Sequence, residues 1–335
     1  MKKYCIHCQQ EIMYNIVEKS VTAVVRGRTV TYMSQSAICP NCGSELYIPQ
    51  IHDTNLDRLD TAYKKQEDII SIKEINDILE MYHIGKRPLS RLLGFGEITV
   101  TRFLGGKLPS KKSSDILKSV LNSTSKMREY VENNTDESLK RACDKVSESI
   151  DEIEKIKSAD KTEQICQYIL INLEDTTNMA LNKLLHFAQI SNYMIYDKPL
   201  FDCESQAWIH GPVYPSIYQK YKKYKKDVIL PTIKNDKLLN LDKREKEILD
   251  KVITYFGCYS ATTLRNMSHV ENVWLDARVG LNDDEASNQA IKLKDLEKYA
   301  QKLKKMLDIK SIDDINKYNT HLRNCELDNK SAIPL

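Results

Sequence analysis

The sequence is poor in residues that interrupt helices, and it lacks any long apolar run. Only 10 of its 335 residues are glycine and 9 are proline, a composition typical of a folded, mostly helical protein. No stretch of 18 apolar residues occurs, which excludes a membrane-spanning helix. The amino-terminal MKKYC also lacks the apolar core of a secretory signal. We therefore expect a cytoplasmic protein with no membrane partner.

Signatures of catalysis are also missing. No serine–histidine–aspartate or cysteine–histidine grouping stands out, and there is no glycine-rich phosphate loop. His210 precedes Gly211-Pro212 and His269 lies near Trp274, but a single histidine near tryptophan is more often a hydrogen-bonded core residue. We predict that the chain is not an enzyme.

Four of the nine cysteines form two C-x2-C pairs. The first pair is Cys5 and Cys8, the second is Cys39 and Cys42, and 30 residues lie between the pairs. Each pair places two thiolates on one tight turn, which is how a structural zinc is held when two such turns meet. We predict one structural Zn²⁺ per chain. Two disulfides, a redox dithiol, or ligation by three cysteines and His7 are the alternatives.

The segment between the two pairs has the pattern of a β-hairpin. Residues 21–25 and 30–32 are rich in β-formers, and Arg26-Gly27-Arg28 is the predicted turn. Gly43 suits a turn that aims backbone N–H groups at sulfur. The remaining cysteines are isolated, and we expect them to be small buried hydrophobic residues: Cys143, Cys166, Cys203, Cys258 and Cys325.

Residues 72–121 have the pattern of a helix-turn-helix. A first amphipathic helix is expected to end at Gly85. A short second helix precedes the turn Gly94-Phe95-Gly96, and a third helix opens at about Glu97 and stops at Gly105. Residues 86–118 carry a net charge of +6, whereas the whole chain carries +3. A local basic excess of this kind favours phosphate binding and predicts a DNA-binding unit.

A first resemblance rests on CIHC, a hairpin with RGR, CPNC and LSRLLGFGEITVTRFLGGKLP. Over residues 1–122 these segments resemble the MqsA family of antitoxins, which implies a zinc ribbon and an Xre-type helix-turn-helix. That family reads bases with an Asn and an Arg four residues apart. The Arg matches Arg102, but the Asn position falls on Ile98, which cannot form two hydrogen bonds to adenine, so the operator sequence is not carried over. In its place we expect base-edge or phosphate contacts from Thr99 and Thr101, and phosphate contacts from Lys107, Lys111 and Lys112.

Residues 126–160 form a predicted helical linker. Its apolar positions follow a 4-3-4-3 spacing: Leu139, Cys143, Val146, Ile150 and Ile153. This stripe is either a dimer seam or the face by which the helix packs on its own domain. A homodimer would pair two DNA-binding units across a palindromic operator.

An unusual helix follows in the second half. Tyr218, Tyr221 and Tyr224 recur every three residues among five lysines. The tyrosines are either a packed stripe beside a solvated lysine face, or part of a surface for an acidic partner or nucleic acid.

A second resemblance rests on NKLLHFAQ, PLF, AWIHGPVYPSIY and LRNMSHVENVWLDAR. Over residues 165–310 these segments resemble the antitoxin SocA-like (Panacea) domain, which implies direct binding of a protein toxin. Two residues depart from the family pattern: His186 stands where an aromatic is usual, and Val273 stands where proline is common. The expected toxin-binding residues are Tyr218, Tyr221, Tyr224 and His186.

Together these patterns predict a mainly α protein with an N-terminal β-hairpin zinc ribbon and a larger, mostly α-helical (α+β) SocA-like domain. The predicted segments are a ribbon (1–50), a linker (51–68), a helix-turn-helix (69–125), a helical linker (126–160), the SocA-like domain (161–325) and a tail (326–335). The resemblances imply an antitoxin of a type II toxin–antitoxin system that binds its toxin and represses its own operon. The alternatives are a stand-alone or prophage-derived DNA-binding regulator and a zinc-dependent enzyme.

Overall fold

The computed structural model describes residues 2–282 and 284–331 of the chain. The chain divides into two compact units. The first holds the chain up to Leu79 together with Gly85–Leu121, and the second holds Glu80–Ile84 and the chain from Asn122 onward. The predicted mainly α fold with an N-terminal β-hairpin region is confirmed.

The first unit begins with strands and continues with helices. Its strands are Lys2–Cys5 (β1), Gln10–Met13 (β2), Asn15–Val25 (β3), Arg28–Ile38 (β4) and Glu45–Leu46 (β5). Its helices are Pro49–Gln66 (α1), Ile72–Met81 (α2), Lys86–Leu92 (α3), Thr99–Leu104 (α4) and Lys111–Asn122 (α5). Strands β1 and β2 pair with each other, and β3, β4 and β5 form an antiparallel sheet in that order.

The hairpin is longer than the sequence pattern indicated. Strands β3 and β4 have 11 residues each and pair along their whole length. The turn has two residues, because Val25 pairs with Arg28. Arg26 and Gly27 have φ values of 49° and 79°, as a type I′ turn requires. The arginine side chain also donates to the carbonyl oxygens of Pro109 and Leu108, at 2.8 and 3.0 Å.

Helix α1 is part of the first unit rather than a free linker. It packs against β4. The side-chain amide of Asn55 accepts a hydrogen bond from the backbone N–H of Gln35 at 2.8 Å and donates to its carbonyl at 2.7 Å. It thereby takes the place of a neighbouring strand at this position of β4. Tyr63 of the same helix is buried against Val30 and Ile69.

Two details of helices α2–α4 follow from local chemistry. Gly85 does not end α2; it is the residue before α3, with φ −76°. His83 instead takes the left-handed conformation after α2, with φ 47°, so the prediction for Gly85 is wrong. Between α3 and α4, Gly94 has φ 72°, which supports the predicted glycine turn. Buried Ser90 accepts the backbone N–H of Val100 at 3.0 Å, which fixes the start of α4 against α3.

The second unit is mostly helical. Its α-helices are Thr124–Glu132 (α6), Lys140–Lys157 (α7), Lys161–Asn172 (α8), Asn178–Tyr196 (α9), Pro215–Tyr221 (α10), Lys243–Phe256 (α11), Ala261–His269 (α12), Asn272–Ala277 (α13), Leu293–Met306 (α14) and Ile315–Ser331 (α15). Three short strands form a sheet in the order β7-β6-β8: Ser205–Trp208 (β6), Gly211–Val213 (β7) and Ala290–Ile291 (β8). Helix α9 packs against α8, α10, α11, α12 and α14, and sixteen of its nineteen residues are buried. It is the centre of this unit.

The apolar stripe of α7 is covered within the second unit. Leu139, just before α7, is 3% exposed, and Cys143, Val146, Ile150 and Ile153 are 9%, 0%, 1% and 0% exposed. Helix α7 packs against α6 and α8. The stripe is therefore the face that packs on its own domain, and it is not available as a dimer seam.

Three further predictions from the sequence can be compared with the structure. Of the isolated cysteines, Cys143 and Cys166 are buried, whereas Cys258 is exposed. Helix α15 extends into the predicted tail, whose residues 332–335 lie outside the described part of the chain. No helix among the described residues is both long and apolar enough to cross a membrane.

Candidate functional site

Four cysteine sulfurs of the first unit lie close together. Cys5 ends β1, Cys8 lies in the turn before β2, Cys39 follows β4, and Cys42 lies in the turn before β5. The Sγ atoms of Cys5 and Cys42 are 3.7 Å apart, those of Cys8 and Cys39 are 3.8 Å apart, and all four lie within 4.8 Å of one another. Zinc–sulfur bonds of ~2.3 Å in a tetrahedron set the sulfurs ~3.8 Å apart. The four cysteines therefore come together as predicted and could hold a metal ion.

The surroundings of the cluster favour some thiolates and disfavour others. The pKa of Cys5 is lowered to about 6, first by a hydrogen bond from the backbone N–H of Cys8. The pKa of Cys42 is lowered, first by the Ser44 hydroxyl. In contrast, the pKa of Cys8 is raised to about 12, first by its contact with the Cys42 sulfur. Like charges so close oppose one another, and a bound divalent cation would remove this conflict. His7 is exposed and outside the cluster.

The residues predicted to contact DNA lie on one stretch of the first unit. Thr99 is half-buried at the first residue of α4, and Thr101 and Arg102 are exposed on the same helix. Ile98 immediately precedes α4 and is 43% exposed. The predicted phosphate contacts are exposed after α4 or at the start of α5: Lys107, Lys111 and Lys112.

Two of the basic residues in this stretch already have acidic partners. Lys111 pairs with Asp115 across one helical turn at 2.8 Å, and Lys118 pairs with Asp68. Exposed ion pairs contribute only ~0.2–1 kcal/mol. Lys111 can therefore exchange its carboxylate partner for a phosphate at little cost.

In the second unit, helix α9 carries a polar stripe although it is buried on all sides. The stripe consists of side chains that are at most 4% exposed: Asn178, Asn182, Lys183, His186 and Gln189. Gln189 accepts the backbone N–H of Leu200 at 2.8 Å and donates to the carbonyl of Phe201 at 2.8 Å. Asn178 donates to the carbonyl of Tyr218 at 3.0 Å. These bonds tie the PLF turn and α10 to the central helix.

The same stripe holds strand β7. Asn182 accepts the backbone N–H of Tyr214 at 2.9 Å, and Lys183 donates to the carbonyl of Pro212 at 2.7 Å. Burial, followed by Arg265, holds the pKa of Lys183 well below its usual range. Gly211 has φ 87°, and a Cβ atom there would lie 2.8 Å from the lysine Nζ. The Gly-Pro-Val segment thus needs glycine for backbone conformation and for close approach.

The remaining residue of the stripe, His186, contacts the segment that contains Trp274. Its Nε2 lies 2.7 Å from a carboxylate oxygen of Glu271, and both side chains are fully buried. The Tyr318 hydroxyl donates to the other carboxylate oxygen at 2.5 Å. Nearby, the His269 ring stacks on Trp274 with centroids 4.1 Å apart. All four sequence segments quoted for the second resemblance therefore meet around α9.

Residues 181–275 match the family model described as the antitoxin SocA-like, Panacea domain. The second unit contains a SocA-like Panacea domain. The matched range covers the Gly-Pro-Val segment and the segment through Trp274, and it is shorter than the 165–310 expected from sequence. No match was found among curated proteins or among solved structures.

Within the Panacea domain the three tyrosines have different environments. Tyr221 is buried, whereas Tyr218 and Tyr224 are half-buried. The ring of Tyr218 packs edge-on against Trp208 with centroids 5.0 Å apart. Helix α10 ends at Tyr221, and a 3-10 turn continues to Tyr224. Packing therefore explains Tyr218 and Tyr221, while Tyr224 keeps an accessible side.

His186 of the Panacea domain has no exposed surface. Its relative exposure is 0%, and its ring is engaged by Glu271. A fully buried side chain cannot contact a partner protein, so we leave His186 out of the toxin-binding surface proposed below. Sequence reasoning missed Glu271 and the polar stripe. The detectable signal was the spacing of Asn178, Asn182, His186 and Gln189, which recur every three or four residues in an otherwise apolar helix.

Proposed function

We propose that this protein is an antitoxin that neutralises a protein toxin by binding it directly through the Panacea domain. The observation that carries the proposal is the match of residues 181–275 to the antitoxin SocA-like family. A domain from an antitoxin family favours a non-catalytic regulator. The four-cysteine cluster agrees with this role, because four thiolates complete a tetrahedral shell and leave no open position for a substrate.

The test is rescue of growth. The open reading frame adjacent to the gene is expressed alone and together with the full chain. We expect growth arrest in the first case and rescue, with co-purification of the two proteins, in the second. A Glu271→Ala variant serves as the control, because it breaks the core of the Panacea domain and should not rescue. An adjacent product that arrests growth without rescue by the wild-type chain would contradict the proposal.

We further propose that α3 and α4 form a helix-turn-helix that binds double-stranded operator DNA and represses the protein's own operon. Arg102 would read a base edge, with Thr99 and Thr101 beside it, and Lys107, Lys111 and Lys112 would contact phosphates. The local charge of residues 86–118 supports this proposal. Two copies would bind a palindromic operator, and they would associate through a surface other than the stripe on α7.

Substitution of Arg102 by alanine tests the placement of the recognition helix. We expect operator affinity to fall by ~1–3 kcal/mol with loss of base preference at one position, whereas Lys112→Ala should weaken binding to all sequences and lower the salt slope by ~1. Mobility-shift titrations at two salt concentrations measure both. Rescue of growth should be unchanged in both variants. Unaltered DNA affinity in Arg102→Ala would place the recognition helix elsewhere.

We propose Zn²⁺ as the metal of the cysteine cluster and assign it a role in folding. Cys5, Cys8, Cys39 and Cys42 would hold it, because thiolate sets of this geometry select zinc. The main alternative function is a stand-alone or prophage-derived DNA-binding regulator, which the basic stretch from α3 to α5 favours. Operator binding without a toxic adjacent product would support this alternative.

A further inference from the structure

A narrow groove in the second unit lies beside the tyrosine-rich turn of the Panacea domain. Its volume is about 220 Å³, below the ~300–1,000 Å³ typical of small-molecule sites. It is lined by Ile156 of α7, Tyr221, Tyr224 and Leu230, among others. Leu230 is 65% exposed. A groove of this size suits a side chain or two from another protein.

The floor of the groove is fixed by a buried hydrogen-bond network. The hydroxyl of Tyr221 donates to the carboxylate of Glu163 at 2.9 Å and accepts from the amide of Gln167 at 3.0 Å. The Gln167 carbonyl accepts the backbone N–H groups of Thr232 and Ile233 at 2.9 and 3.2 Å. Lys220 closes the network at 2.8 Å from Glu163. Tyr221 and the backbone at Thr232 are therefore held in place before a partner arrives, which lowers the cost of binding.

The turn beside the groove carries an excess of positive charge. Four exposed lysines follow α10, and Lys223 is the one of them that lines the groove; together we call them the lysine rim: Lys222, Lys223, Lys225 and Lys226. None of the four forms an ion pair with a residue in the described part of the chain. Lys223 also lies over the Tyr224 ring, with its Nζ 5.3 Å from the ring centroid. These lysines have no carboxylate partner within the described chain and are available to an acidic one.

The backbone of this turn is strained. Lys225 has φ 53° and ψ −110°, and the N–H of Asp227 donates to the carbonyl of Tyr224 at 2.8 Å. This is a type II′ turn whose first central position favours glycine. A lysine there keeps a fourth charge on the rim at the expense of backbone strain, and strain of this kind clusters at binding sites.

We propose that this groove, rather than another face of the Panacea domain, receives an acidic segment of the toxin, with one apolar side chain inserted between Ile156 and Tyr224 and flanking Asp or Glu side chains on the lysine rim. The proposal rests on the antitoxin function proposed above and names the surface and the chemistry of the partner. Complementary charge speeds the association of the two proteins and aligns the toxin segment in the groove. The buried apolar side chain contributes most of the affinity.

A protein segment fits this site better than nucleic acid. The exposed carboxylate of Glu152 lines the groove, so the acidic side chains of the partner belong on the lysines after α10 and an apolar side chain belongs inside the groove. The buried ring of Tyr221 has no open face for a base to stack on. The groove also has an aliphatic part, formed by Ile156, Ala159 and Leu230, as a side-chain anchor requires.

The test measures binding of the purified growth-arresting product of the adjacent reading frame to the full-length chain. Lys222→Glu/Lys223→Glu reverses two rim charges, and Lys294→Glu/Lys305→Glu makes the same charge change on exposed positions of α14, which lines no part of the groove. We expect affinity to fall at least tenfold in the first variant and less than twofold in the second. The salt dependence of binding should weaken only in the first.

Two further variants separate folding from binding. Lys225→Gly should raise the urea midpoint, because it relieves the turn, and still lower toxin affinity several-fold. A photo-crosslinking residue at position 224 should attach to a toxin segment that contains Asp or Glu.

Three outcomes would contradict parts of this proposal. Tight toxin binding by Lys222→Glu/Lys223→Glu would overturn the assignment of the toxin to this groove and leave the antitoxin function intact. Loss of DNA binding in that variant with toxin affinity retained would assign the rim to nucleic acid. A wild-type chain that binds no toxin would overturn both proposals.

Discussion

Replacement of His186 by phenylalanine should destabilise the second unit strongly although it retains an aromatic ring. The imidazole Nε2 lies 2.7 Å from Glu271, and both side chains are fully buried. A hydrogen bond to a charged group contributes ~1.5–3 kcal/mol, and a buried charge left without its partner costs ~3–5 kcal/mol. Tyr318 still donates to the other carboxylate oxygen at 2.5 Å, so the smaller range applies. We expect a loss of ~2–3 kcal/mol.

Tryptophan fluorescence reports this change selectively. The chain has two tryptophans, and both Trp208 and Trp274 belong to the second unit. With a urea dependence of ~2–3 kcal/mol per molar, the midpoint should fall by about 1 M at pH 7. His186→Gln keeps an amide donor and should recover part of the loss. Ser191→Ala is the matched control on α9, because the buried Ser191 hydroxyl has no hydrogen-bond partner among the described residues; its midpoint should stay the same or rise.

A His186→Phe midpoint within 0.3 M of the wild type would refute this reasoning. The Glu271 carboxylate would then be adequately held by Tyr318 without the histidine. A Ser191→Ala loss as large as that of His186→Phe would also refute it, since any polar substitution in α9 would then have the same effect.

Two other outcomes are expected. Chelation, or Cys39→Ser, should abolish cooperative unfolding of the first unit as followed by hydrogen exchange, while the exposed Cys258→Ser control keeps it; an unchanged unfolding profile after metal removal would contradict a folding role for the metal. His269 should destabilise the folded state in acid, because burial, followed by Arg265, lowers its pKa to about 3, below the ~6.5 of an unfolded histidine. The unfolded chain then binds the proton first, so this contribution is complete above pH 6.5 and is lost as pH falls from 6.5 towards 3. The urea midpoint should drop less between pH 7 and pH 5 in His269→Phe, and an equal drop would exclude this histidine as the cause.

The sequence was most informative where one residue type has one use. Two C-x2-C pairs predict a four-cysteine cluster because few other roles require thiols at that spacing, and the structure brings these thiols together. Gly94 and Gly211 mark positive φ values because glycine alone adopts them freely. The segments quoted for the Panacea domain contain glycine, and they contain buried polar residues that bind backbone groups. These segments lie largely within the matched range of residues 181–275.

The sequence was less informative where a pattern has two structural solutions. The apolar stripe on α7 has the spacing of a coiled coil, but any helix that packs on one neighbour needs a similar stripe. Gly85 was assigned to the end of α2, although a residue between two helices can serve either one. The length of the hairpin was underestimated because β3 is exposed on most of its residues and so lacks the apolar alternation that marks a half-buried strand.

The contacts of α9 also bear on how one domain could serve different partners. Asn178, Asn182, Lys183 and Gln189 bind backbone groups of the neighbouring segments, so most of the side chains on those segments take no part in the bonds that hold the core. The lysines after α10 can therefore change without loss of the fold. Another part of the lining of the proposed groove comes from α7, outside the matched range of 181–275. Both walls of a groove built in this way can vary independently of the domain's core, and partner choice would then be set by charge and shape at the groove rather than by the fold.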